Sequence, residues 1–118
     1  QWDMLNRDSG SMLVTGVTLV RSDFLRENRS PIEDFLKDHA ESALFTSGHP
    51  EEAAALIAAQ DIVEKAPIAQ KALPYCNIVC ITGQEMKDAL SGYLSILMEQ
   101  DAKSIGGQMP GDDFYYMP

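Results

Sequence analysis

The sequence has little positive charge, little sulfur and no apolar run long enough to cross a membrane. Nine Lys and Arg stand against 18 Asp and Glu, a net charge of −9. Nucleic acids and anionic lipid surfaces are bound by basic faces, so this balance argues against both as partners. Two cysteines in 118 residues cannot build a disulfide scaffold. Cys76 and Cys80 stand four apart in Cys-Asn-Ile-Val-Cys, which is not the Cys-x-x-Cys redox spacing. If residues 77–81 are extended, the two lie about 13 Å apart, beyond the roughly 7 Å that a bridge spans. They read as small buried hydrophobes with free thiols. Uninterrupted apolar runs fall far short of the roughly 20 residues that span a bilayer. These residues hold no basic-then-apolar leader pattern, which carries no information on compartment. What is present is ordinary for one globular domain: 45 % hydrophobic and 23 % charged residues.

Reactive constellations are also missing. His39 and His49 are ten apart with a helix end between them, and no Cys or His spacing supplies the three or four ligands of a metal site. They read as a solvated helix face and a loop position. Glu51-Glu52 and Asp112-Asp113 are adjacent pairs, whereas general acid–base work needs two carboxyls held apart in different environments. Glu51 and Glu52 fit the first turn of a helix, where they complement its dipole. No Gly-x-Ser-x-Gly elbow occurs, and Gly106-Gly107 lacks the context of a phosphate loop. The reading is therefore a non-enzyme with no catalytic residue, metal or cofactor.

Periodicity gives the elements. Residues 1–10 read as a loop. Residues 12–21, Met-Leu-Val-Thr-Gly-Val-Thr-Leu-Val-Arg, are β-branched with apolar groups on both alternations, the pattern of a strand covered on both faces. Ser30-Pro-Ile-Glu33 is a capping box with Pro31 at the first helical position. Ile32, Phe35, Leu36, Ala40, Ala43 and Leu44 then form one helical stripe. Gly48 and Pro50 separate it from an alanine-rich helix over 50–60. A shorter helix over 67–73 stops before Pro74, and residues 77–81 read as extended. Thr82-Gly-Gln-Glu85 opens the strongest helix, whose face is Met86, Ala89, Leu90, Tyr93, Leu94, Leu97 and Met98, read as core packing; Gly106-Gly107 ends it. The tail, Pro110-Gly-Asp-Asp-Phe-Tyr-Tyr116, reads as a strap on a surface.

A doubly covered strand needs neighbours on either side to pair its backbone. The chain contains no obvious candidates: either a second strand pairs poorly or, the reading favoured here, the sheet partners lie on polypeptide outside these residues, in a larger protein.

Several stretches in order carry a resemblance: Val17-Thr-Leu-Val-Arg-Ser-Asp-Phe24 with Glu27-Asn28, Gly48-His-Pro-Glu-Glu-Ala-Ala-Ala55, Ala72-Leu-Pro-Tyr-Cys-Asn-Ile-Val79, Ile81-Thr-Gly-Gln-Glu-Met-Lys87 with Ser91-Gly-Tyr-Leu94, and the tail from Lys103. From about Leu13 onward the chain resembles the C-terminal portion of bacterial ABC-transporter substrate-binding proteins of the nitrate/sulfonate/taurine/thiamine-pyrimidine type. The resemblance implies an α/β fold: a helix-rich C-terminal fragment of a two-lobe periplasmic-binding-protein type II fold, with few strands of its own. Residues 1–118 would be a single partial domain, 1–12 an inter-lobe crossing and 13–118 the C-terminal part of one lobe. Ser11, Met12, Thr15 and Gly16 fall where such a crossing meets the ligand cleft and are the implied ligand-binding residues. Asp113, Phe114 and Tyr115 are implied packing residues. The enzymatic pyrimidine-synthase cousins of that fold carry a cysteine-rich signature and a histidine-rich active site that have no counterpart here.

The function so implied is that of the extracytoplasmic solute-binding component of an ABC importer. It would take a small anionic or heteroaromatic ligand by cleft closure and pass it to permease subunits. The resemblance places it in the periplasm or lipid-anchored outside the cytoplasmic membrane, with the leader and most of the cleft outside this chain. An unpaired sheet edge would favour a homodimer or strand swap. The alternative is a self-contained helical interaction module that docks a partner on the Met86 to Met98 face. Strand content separates the two: the module would have almost no sheet, and residues 12–21 would be helical.

Overall fold

The computed structural model describes residues 2–6 and 11–118. The described residues are helix-rich: α1 (Trp2–Leu5), α2 (Ser22–Glu27), α3 (Arg29–Gly48), α4 (Pro50–Ala59), α5 (Ala66–Cys76) and α6 (Gly83–Gln100), with 3-10 turns at Ala102–Ile105 and Asp112–Phe114. No strand occurs among them. They fall into two compact units, Ser22–Cys80 and the pair Gln1–Arg21 with Ile81–Pro118.

The strand expected over 12–21 is corrected: residues 11–21 have no regular structure. Residues 77–81, expected to be extended, also lie in no regular element, and Asn77 departs from extended backbone at φ 50°. A strand exists only as one side of a ladder, and these residues have no ladder partner among the described residues, whatever their side-chain pattern favours. The loop expected over 1–10 is corrected at Trp2–Leu5, a single helical turn closed by Asn6, whose backbone N–H and side-chain amide both donate to the Trp2 carbonyl at 2.9 and 3.0 Å. The rest of that expectation, at residues 1 and 7–10, lies outside the described residues.

In the unit Ser22–Cys80, Asn28 does two jobs. Its N–H and its side-chain amide donate to the Phe24 carbonyl (2.9 and 3.0 Å), closing α2, while its own carbonyl accepts from Ile32. Asn28 thus precedes α3 in the place expected for Ser30, and Glu33 lies 3.9 Å from Arg29 instead of reaching back to a cap. Helix α2 itself had no sequence signal beyond Ser22-Asp23. Pro50 has no N–H to continue α3 and forces His49 out of the helical region, to φ −135° and ψ 60°. The chain turns there and restarts as α4, with Glu51 and Glu52 in the first turn as expected. Helix α5 runs through Pro74, beyond the expected stop. In the last turn the missing N–H forfeits only one ladder bond, and the helix ends at Asn77 in the left-handed region, φ 50°.

The buried side chains of this unit are small: Ala43 on α3, Ala53 and Ala54 on α4, and Ala69 on α5. Alanines let helix backbones approach closely, and α4 makes its most extensive contact with α5. Among the larger members of the α3 stripe Ile32 and Leu36 are half-buried, while Phe35 and Leu44 stay exposed.

In the other unit, Thr82 stands at the N-cap of α6 as expected, though its hydroxyl makes no capping bond. Gly83 follows with φ 64°, a conformation that side chains resist. The seven apolar positions from Met86 to Met98 are all half-buried. The helix ends at Asp101 rather than at the glycines. The Asp101 carboxylate accepts from the Lys103 N–H (3.1 Å) and caps the following 3-10 turn, which Gly106 closes at φ 80°.

Candidate functional site

Helix α6 organises its unit through two patches. Around Gly92 and Tyr93 it receives the N-terminal segment: the Trp2 ring lies 5.0 Å from the Tyr93 ring, tilted by 49°. Ser11 approaches the same helix, since a Cβ built on Gly92 would stand 3.9 Å from the Ser11 side chain. Glycine at 92 leaves that space open. The second patch holds the tail. Lys87 Nζ donates to Asp112 Oδ1 at 2.8 Å and lies 5.8 Å from the centre of the Tyr115 ring.

Among the described residues Tyr115 is the one large side chain that is buried, 7 % exposed, so it anchors the tail. Phe114 is T-shaped against it at 5.3 Å and remains about half exposed. The hydrogen bond from Lys87 holds the Asp112 carboxyl below its ordinary range, and the same bond raises Lys87. Burial pushes the Tyr115 phenol up, against the pull of the Lys87 charge.

These shifts set a pH window. A depressed carboxyl contributes stability above its unfolded pKa and loses it as pH falls through the folded value. A raised Lys or Tyr contributes below its unfolded pKa and loses it as pH rises through the folded value. The exposed pair therefore contributes its small share in full near neutral pH. It loses that share in acid as Asp112 protonates and in alkali as Lys87 deprotonates, while the buried Tyr115 ring does most to hold the tail. In an absorbance titration, the difference between the parent and Tyr115→Phe should show a phenol that ionises above the ordinary range. A difference curve at the ordinary phenol pKa would contradict the anchored tail.

The implied ligand-binding residues lie along the irregular segment beside this helix. Ser11 is half-buried against Gly92, whereas Met12, Thr15 and Gly16 are exposed, and a Cβ on Gly16 would meet nothing within 4 Å. The structure brings Ser11 to α6 and leaves the other three on the surface.

The other unit holds a cavity of about 300 Å³ where the α3–α4 turn meets the end of α5. Thr46, Pro50, Leu73, Pro74 and Asn77 are among the residues that line it. The Thr46 hydroxyl donates to the Ala43 carbonyl (2.7 Å) and that of Ser47, also on the wall, to Leu44 (3.0 Å), so both protons are spent inside α3. No titratable group lines the cavity. Its walls suit a small apolar group rather than an ion. Sequence reasoning missed this cavity; the signal was the pairing of Gly48-His-Pro50 with Leu-Pro74, two helix-interrupting sites whose proximity only the packing of α5 on α4 creates.

The remaining candidates are scattered. His39 stacks on Phe35 at 5.4 Å and His49 on Phe45 at 4.9 Å, both exposed. Cys76 is an exposed free thiol donating to the Ala72 carbonyl, and Cys80 is free and half-buried. The expectation that both are buried is corrected: Cys76 falls on the outer side of the last turn of α5. Among the described residues no three His, Cys, Asp or Glu converge as metal ligands, and no helix is long and apolar enough to cross a membrane.

No protein-family model matches the chain, and neither the curated proteins nor the solved structures contain a match.

Proposed function

We propose that this chain is part of the extracytoplasmic solute-binding component of a bacterial ABC importer, forming the helical layer of one α/β lobe. The observation that carries this reading is the state of the helices in Ser22–Cys80. Their fully buried residues are alanines, while Phe24, Phe35, Leu44, Leu56 and Ile68 are all exposed. Amphipathic helices bury large side chains against another layer. The two-faced pattern of residues 12–20 says that this layer is a sheet, and the order of the motifs resembles the family named above.

In this reading a small anionic or heteroaromatic ligand bridges two lobes, and the closed form is selected by the contacts it adds. Ser11, Met12, Thr15 and Gly16 form one edge of the cleft. Delivery to permease subunits requires no covalent step, metal or cofactor. The protein acts in the periplasm or on a lipid anchor outside the cytoplasmic membrane.

The rival, a helical interaction module, gains from the lack of strands among the described residues. It loses because residues 12–21 are not helical and because the α6 face is already half covered within its own unit.

Ligand-dependent melting tests the proposal. The longer polypeptide and the 118-residue chain are run in parallel against taurine, alkyl sulfonates, nitrate, aromatic carboxylates and pyrimidines. A shift of several degrees for one compound, in the longer polypeptide only, supports solute binding by mass action. A shift in the 118-residue chain alone would place the whole site within these residues and overturn the shared cleft. No response from either would leave the interaction module as the better reading.

A further inference from the structure

The cavity at the α3–α4 turn is bounded by chain that is held in place. Pro50 and Pro74 have fixed φ, and Asn77 holds the left-handed conformation that ends α5. Walls set before a ligand arrives bind it at a lower ordering cost. Thr46, Pro50 and Leu73 are half-buried, whereas Pro74, Asn77 and Ile78 stand exposed, so the cavity is open on one side. Its volume of about 300 Å³ is twice the roughly 150 Å³ that takes up benzene, enough for a substituted single ring.

The polar groups on these walls select among such rings. Thr46 and Ser47 spend their hydroxyl protons on the Ala43 and Leu44 carbonyls, which leaves two oxygens able only to accept. The Asn77 amide makes no hydrogen bond among the described residues and offers both a donor and an acceptor. No cation lines the walls to balance an anion, and no carboxylate to balance a cation. We propose that this cavity binds a small neutral aromatic amide, with the ring against Pro50, Leu73, Pro74 and Ile78 and the amide paired with that of Asn77. The two hydroxyl oxygens accept from the N–H of such a ligand, whereas they repel a carboxylate.

A ring seated here covers Ile78, which is 43 % exposed, and so removes apolar surface from water. The inference does not rest on the solute-binding reading, because none of Ser11, Met12, Thr15 and Gly16 lines this cavity.

The test is a chemical-shift titration of the isotope-labelled 118-residue chain with benzamide, benzoate, benzylammonium and ethylbenzene. Benzamide should move the backbone amides of Leu73, Asn77 and Ile78 with a dissociation constant of about 1 mM, the scale for a ligand of its size. Benzoate and benzylammonium, similar in shape but charged, should bind about tenfold more weakly or worse. Asn77→Gly keeps the left-handed backbone without strain, so helical circular dichroism should be unchanged. In that variant benzamide should weaken about tenfold and ethylbenzene should bind as before. Ile78→Ala, at the exposed rim, should weaken both. Benzamide that moves none of these amides would overturn the proposal. So would equal binding of benzamide and benzoate, or an Asn77→Gly chain that takes benzamide as the parent does.

Discussion

Tyr115→Ala should cost about 3 kcal/mol in the unit that contains α6, the range for emptying a large aromatic site. Tyr115 is the large side chain that burial singles out in this chain. Its removal leaves Lys87 and Asp112 joined at 2.8 Å with no apolar body beside them. Asp112 is almost fully exposed, and an exposed ion pair does little to hold a chain segment. The tail should therefore detach, and cleavage by a protease after Phe114 or Tyr116 should accelerate. The single Trp makes the measurement simple, because Trp2 stands against Tyr93 on the same helix. Urea unfolding followed by Trp fluorescence should shift to lower denaturant. Tyr115→Phe keeps the ring and should stay within about 1 kcal/mol of the parent, as shape-conserving changes do. An unshifted Tyr115→Ala transition would mean that the tail contributes nothing to the fold.

Ala54→Leu should be the most damaging single change in the other unit. Ala54 is 1 % exposed on α4, whose contact with α5 is the most extensive in that unit. Three added carbons have no cavity to enter, so the helices must separate or the side chain must leave its preferred rotamer, at about 1 to 3 kcal/mol. Hydrogen exchange in α4 and α5 should rise together. Leu56→Ala, one turn face away and exposed, is the matched control and should change stability by about 0.5 kcal/mol or less. Equal effects at 54 and 56 would show that the alanine contact is not the core of this unit.

How much of this was legible depends on which interactions act over a few residues. The helix over Pro50–Ala59 was readable because Pro50 and the two glutamates act locally. The start of α6 was readable because Thr82 and the Met86 to Met98 spacing agree. Ends that depend on one competing bond were not. Asn28 displaced Ser30 at the start of α3 because its amide also closes α2, and Asp101 ended α6 because its carboxylate caps the next turn. The tail was read as a strap, but that Tyr115 would be its buried aromatic depends on packing against elements distant in the chain, which no local pattern encodes. Of the candidate ligand residues, only Ser11 comes near α6, beside Gly92, and no local pattern encodes that.

The sequence by itself determined where α3 to α6 occur, which face of α6 is apolar, and that the side chains of residues 12–20 favour extended backbone. Those are properties of capping, period and side-chain shape, felt within a turn or two of chain. Tertiary structure alone decided that the same residues form no strand here, because a ladder requires a second backbone at hydrogen-bond distance. It also decided that alanines are the fully buried residues of Ser22–Cys80 while Phe35, Leu44 and Leu56 stay exposed, because burial depends on what another layer covers.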